Sequence, residues 1–90
     1  MYKIISSSKF KKDLKNMLRR GYGEKLIEEV VTKLAQGEKL PSKNKDHWLH
    51  GNYEGKRECH ITPDWLLIYE VNEDNLYLYL IRTGTHSDLF

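Results

Sequence analysis

Ninety residues suffice for one domain, and a chain this short buries only about 60% of its unfolded surface, which leaves no room for a separate cofactor-binding unit. The single Cys59 excludes an intrachain disulfide, and residues 1–20 mix lysines with serines instead of forming an apolar run, so a soluble, cytoplasmic chain with no membrane segment is expected. The net charge of +2 hides two opposed halves, with twelve basic against five acidic residues in 1–45 and three against eight in 46–90, a polarity suited to a polyanion gripped by the first half.

Tyr2 to Ile5 is a short β-prone run. The serines that follow can cap a helix whose apolar residues Phe10, Leu14, Met17 and Leu18 recur at helical spacing, with Gly21 as its left-handed stop. The opposite face of that helix carries Lys9, Lys11, Lys12, Lys15, Arg19 and Arg20. After Gly23 a second helix is predicted, with Leu26, Ile27, Val30, Val31 and Leu34 on one stripe, acidic residues toward its start and Gly37 beyond its end. The short link predicts an antiparallel helix hairpin whose apolar face needs a sheet to cover it.

Leu40 to Asn52 shows neither helical nor strand period and reads as an irregular loop. Alternation returns from Tyr53 to Ile61, with Tyr53, Arg57, Cys59 and Ile61 on a core face and Glu54, Lys56, Glu58 and His60 on the other. Pro63 presets its own φ and pushes Thr62 toward extended geometry, so Thr62-Pro63-Asp64 is a fixed turn. Trp65 to Val71 reads as a central strand, Asn72 to Asn75 as a polar turn and Leu76 to Ile81 as a second buried strand, making three antiparallel strands. Arg82 to His86 then leave the sheet, and the apolar end at Leu89 and Phe90 tucks back. The class is α+β.

All four histidines follow residue 46. A structural zinc site needs paired Cys or His at turn spacing twice over, whereas Cys59 points inward and His60 outward, so no metal and no cofactor is expected. Acid–base chemistry needs less: cleaving RNA requires a base for the 2'-hydroxyl proton, an acid for the leaving 5'-oxygen and a cation on the phosphate. His60, Asp64 and His86 at strand ends can converge with Arg82, four residues before His86. Each also has an ordinary structural explanation: Asp64 as turn former, Arg57 as ion-pair partner, Trp65 as core.

Five segments in order resemble the RelE superfamily of bacterial toxin–antitoxin systems, in particular its YafQ branch: K-D-H at Lys45 to His47, L-x-G at Leu49 to Gly51, R-x-x-H at Arg57 to His60, P-D-W-L-L-I-Y at Pro63 to Tyr69 and R-T-G-T-H-x-x-L-F at Arg82 to Phe90. Trp48 stands where the branch commonly has proline. The resemblance implies a microbial-ribonuclease fold with element order β-α-α-β-β-β and a mostly antiparallel sheet. It implies a ribosome-dependent endoribonuclease toxin that cuts messenger RNA in the ribosomal A site, a cognate antitoxin, and operator DNA read only through the antitoxin complex. Carried onto this chain, it makes His86 the general acid, His60 or Asp64 the base, His47 a further acid–base or phosphate group and Arg82 the stabiliser of the transition state. Trp65, Phe90 and Arg57 would contact RNA, the aromatics by holding a splayed base. The basic helix face would dock on ribosomal RNA. The alternative, from the related ParE branch, is a toxin that inhibits DNA gyrase by binding alone.

Overall fold

The computed structural model describes all residues from Met1 to Phe90. Strand β1 (Lys3–Ser6) leads into helix α1 (Ser8–Arg19) and helix α2 (Glu24–Ala35); β2 (His47–Trp48), β3 (Arg57–Thr62), β4 (Trp65–Asn72), β5 (Tyr77–Gly84) and a final turn of helix, α3 (His86–Leu89), follow. The five strands lie in the order β1-β5-β4-β3-β2, with β1 parallel to β5 and every other pair antiparallel. No helix is long and apolar enough to cross a membrane.

Local chemistry sets the helix ends. The Ser7 hydroxyl accepts from the Phe10 N–H at 2.9 Å, capping α1, and donates to the Ile81 carbonyl at 2.7 Å, tying that cap to β5. Gly21 (φ +93°) supplies the left-handed turn after α1, where Leu18 accepts its N–H. Of the α2 stripe, Ile27, Val30 and Leu34 are buried together with Ala35, while Leu26 is 43% exposed because the helix presents the i, i+3, i+7, i+8 stripe to the sheet. The two helices divide the sheet between them: α1 lies along β5 and α2 over β3. One core forms between helices and sheet from Phe10, Met17, Ile27, Leu34, Cys59, Trp65, Leu67, Tyr69, Leu78 and Leu80, among others.

Three expectations about the second half need correction. His47–Trp48 is not loop but a two-residue edge strand on β3. Residues 51–53 form a 3-10 turn, which breaks the alternation before Arg57 and sends Tyr53 to the face opposite Cys59. Strand β5 continues through Arg82 to Gly84 instead of ending at Ile81, and the residues beyond it form α3.

The parity of β5 also breaks along its length. Leu78 and Leu80 face the helices, so simple alternation would send Arg82 there too. Tyr69 pairs with Leu80 but Ile68 with Arg82, leaving Ile81 as an extra residue in a β-bulge. The bulge turns Arg82 onto the open face, beside Ile68, and returns Thr83 to the helix side. There Thr83 Oγ1 accepts from the Trp65 indole N–H at 2.8 Å and donates to the Leu66 carbonyl at 2.7 Å, with both side chains wholly buried. Thr83→Val keeps the shape but orphans a buried donor, so it should cost about 1–3 kcal/mol. Thermal unfolding should show a drop of about 4–8 °C per kcal/mol lost, and an unchanged midpoint would contradict this account of the Trp65 anchor.

Candidate active site

The open face of the sheet is organised in rows. Paired residues run His47, Glu58, Ile68, Arg82 across β2, β3, β4 and β5, and the neighbouring row is His60, Leu66, Gly84. With strands spaced about 4.8 Å apart, the Glu58 and Arg82 backbones stand about 10 Å from each other. The floor between them is apolar: Leu66, Ile68 and Leu89, with Leu49, Tyr53 and Ile81 packed against them. Leu66, Ile68 and Leu89 are themselves covered, at 3%, 0% and 8% exposure, so the titratable groups flank a shallow trough surfaced by the half-buried Leu49, Tyr53 and Ile81.

On one flank, His47 Nδ1 lies 2.6 Å from the Lys45 carbonyl and its Nε2 lies 3.3 Å from Glu58 Oε1. A carbonyl only accepts, so Nδ1 carries a hydrogen. The second contact is an ion-pair distance without hydrogen-bond geometry, attractive when the imidazole is charged. Glu58 is 6% exposed, and its Oε2 has no hydrogen-bond partner. His60 follows the same logic with a different outcome: Nδ1 donates to the Pro63 carbonyl at 3.3 Å, which leaves the Nε2 lone pair free. The Asn44 amide, itself buried, holds the main chain there by donating to the His60 carbonyl at 2.7 Å.

On the other flank, Arg82 donates from Nε and Nη2 to Asp13 of α1 at 2.6 and 3.1 Å, beside the Tyr53 hydroxyl. Phe90, 57% exposed, stacks near His86 (centroids 5.0 Å, planes at 32°) and meets Tyr53 edge-on at 6.0 Å. Helix α3 is folded down over the sheet by three devices. Thr85 and Asp88 form a capping box, Arg20 donates to Asp88 at 2.8 Å, and Leu89 enters the apolar floor. Gly84 makes the approach possible, since a Cβ there would sit 2.9 Å from that of Asp88.

The predicted residues thus separate into groups. His47 and His60 share the open face with Arg82, and α3 brings His86 and Phe90 over the same trough. Asp64 stands at the rim, accepting from Tyr22 Oη and Thr62 Oγ1, both at 2.8 Å. The Tyr22 hydrogen bond first, and that of Thr62 next, hold its carboxyl below the usual range, which makes it a poorer base. Trp65 does not reach the trough: it is wholly buried on the helix side, edge-on to Tyr22, and has no face to offer a base. Arg57 also lies on the helix side, beneath Trp48 (4.5 Å to the ring) and tied to Asp46 at 2.9 and 3.2 Å, because its parity is that of Cys59. Its expected RNA contact is replaced by this ion pair. Lys9, Lys11, Lys12, Lys15 and Arg19 are all exposed on α1, whereas the exposed Arg20 is engaged with Asp88.

Three residues were missed in the sequence. Glu58 shares the alternation face of His60, and a carboxylate at an interior strand position is the available signal. Asp13 is the only acid in α1, and Tyr53 was assigned to the wrong face. No group of three or more His, Cys, Asp or Glu side chains is arranged to hold a metal ion.

Comparison with known proteins agrees with this architecture. Residues 2–90 match the family model for the bacterial toxin of type II toxin–antitoxin systems, YafQ. The mRNA interferase toxin YafQ of Escherichia coli K12 is 36% identical over 88 residues, covering 97% of this chain and 94% of that protein. A metal-bound toxin from Helicobacter pylori superposes with a TM-score of 0.93 at 44% identity, over 100% of both chains. YafQ in the E. coli DinJ–YafQ complex gives 0.91 at 35% identity, over 100% of this chain and 99% of that one.

Acid tests how α3 is held. The Thr85 backbone N–H and the Arg20 side chain lower the Asp88 carboxyl to about 2, so its contribution to docking α3 is complete above its unfolded value and fades as pH falls toward 2. NMR signals of His86 and Phe90 should move toward disorder between about pH 4 and 2, ahead of the buried Trp65 indole. Arg20→Ala should raise that midpoint, and an α3 docked unchanged at pH 2 would contradict the latch.

Proposed function

This chain belongs to the YafQ family of toxins of type II toxin–antitoxin systems, and on that footing we propose that it is an endoribonuclease that cuts messenger RNA on the ribosome. The observation that carries the reading is the pairing, across one apolar trough, of imidazoles on β2 and β3 with Arg82 on β5 and His86 on α3. In-line transfer needs a proton acceptor and a proton donor on opposite sides of one phosphate, and the two flanks supply them.

His60 Nε2, its lone pair free, takes the 2'-hydroxyl proton, and His47, on the neighbouring row of the same face, is a further acid–base or phosphate group. The 2'-oxygen attacks phosphorus while Arg82 neutralises charge on the non-bridging oxygens. His86, free of protein hydrogen bonds and able to turn toward the trough, protonates the leaving 5'-oxygen. The products are a 2',3'-cyclic phosphate and a 5'-hydroxyl. Phe90 and Tyr53 supply ring faces for a splayed base, a role that Trp65 cannot take. Asp64 fixes the turn next to His60 in place of acting as base. None of these steps uses a cofactor.

The exposed Lys9, Lys11, Lys12, Lys15 and Arg19 dock on ribosomal RNA, and an antitoxin of the family's type neutralises the toxin by covering this groove. Operator DNA is read by the antitoxin.

Two measurements test the proposal. With programmed ribosomes and mapping of 5'-hydroxyl ends, His86→Ala should cut about 100-fold more slowly or worse. Full activity of that variant would remove His86 as the acid, and DNA breaks with gyrase in place of RNA ends would favour the binding-only alternative. Reversing three of the α1 lysine charges should weaken ribosome binding and lower the slope of log affinity against log salt by about 2–3. An unchanged slope would refute the docking surface.

A further inference from the structure

The geometry points to Asp13 as the positioning residue for Arg82, an inference that rests on the ribonuclease reading above. A carboxylate is out of place on this helix. Within Ser8–Arg19 it is the only acid among Lys9, Lys11, Lys12, Lys15 and Arg19, so it weakens any polyanion contact the helix makes. The pair is also largely shielded, with 16% of the Asp13 side chain exposed against 24% for Arg82, and desolvation offsets much of the attraction in such a pair, so stability alone does not account for it.

What the pair does supply is geometry. Asp13 Oδ2 accepts from Arg82 Nε at 2.6 Å and from the Thr83 backbone N–H at 3.2 Å, while Oδ1 accepts from Arg82 Nη2 at 3.1 Å. One carboxylate therefore fixes both the guanidinium and the main chain that carries it. Such fixing is needed here. Pairing with β1 ends at Leu80, and the bulge at Ile81 interrupts the ladder with β4, so Arg82 stands where the sheet itself controls the chain least. Asp13 takes the place of the missing strand. The two-point grip is the fork geometry in which arginine and carboxylate share a plane, and it leaves three of the five guanidinium N–H groups for a phosphate.

The test is a double-mutant cycle on programmed ribosomes, read as kcat and KM separately. Asp13→Asn removes the charge and one of the two good acceptors, leaving Arg82 free to swing. Misplacement of a positioned group by about 1 Å can cost about 100-fold, so kcat should fall about 10- to 100-fold while KM for ribosomes stays within about twofold. In an Arg82→Ala background the same substitution should have no further effect. A wild-type kcat for Asp13→Asn, a faster enzyme, or a loss that adds in full to that of Arg82→Ala would overturn the assignment. If Asp13→Asn does not fold, Asp13→Glu decides: it keeps the charge but shifts it by one methylene, and should lose kcat by about tenfold at unchanged KM. Should Arg82→Ala itself cut at the wild-type rate, the role of Arg82 in the ribonuclease reading fails and this inference fails with it, whereas a slow Arg82→Ala beside a normal Asp13→Asn sinks this inference alone.

Discussion

Everything chemical in this fold depends on one extra residue in β5. A strand with one face packed into a core has no freedom in where its side chains go, because alternation fixes them. Leu78 and Leu80 commit β5 to the helix-side core, and without Ile81 as a bulge Arg82 would follow them inward, while Thr83 would be exposed to the trough. The insertion exchanges the two. Arg82 gains the open face, and Thr83 gains the interior position from which it satisfies the Trp65 indole. A single backbone irregularity thereby serves both the core and the site.

The sheet is consequently two-sided in its duties. Its helix side carries the large buried residues, including Trp65, Tyr69, Leu67 and Cys59, whose thiol burial pushes far above its ordinary range and keeps protonated. Its other side carries a smaller apolar patch under α3 and the polar flanks around it. The Pro-Asp-Trp turn crosses between them. His60 and Trp65 are five residues apart yet belong to opposite faces, which is why a dense motif can hold both a histidine on the candidate site and a purely structural indole.

This division explains which parts of the fold could be read directly. The helix spacings, the Ser7 cap, the Thr62-Pro63-Asp64 turn and the β4–β5 hairpin rest on contacts between residues close in sequence, and the chain spells them out. The RNA contacts expected of Arg57 and Trp65 have a different origin. Each has a chemically plausible role in RNA binding, and only the parity of its strand, together with a partner far along the chain, decides against it: Asp46 for Arg57, Thr83 for Trp65. The same holds for β2, which is a strand only because β3 is beside it, and for Arg82, whose orientation depends on an unsignalled bulge. Glu58 lay on the correct face, but burial of its carboxylate against His47 is a property of the assembled sheet.

The shape of the trough fits the proposed dependence on a large partner. Its flanks are about 10 Å apart, and Phe90 and His86 are exposed. A phosphodiester entering alone would be held at few points, and the rate that acid–base groups can give depends on the substrate being oriented before they act. A surface that presents the message in a fixed path supplies that orientation from outside. Helix α1 is where the two requirements meet. Its lysines point away from the protein, and its inner side reaches the site through Asp13, while Arg20 and Tyr22, just beyond its end, hold α3 and Asp64. Whatever the lysines grip is thus linked through short, charged contacts to the groups that would do the chemistry, and a displacement of α1 on docking would be felt first at Arg82.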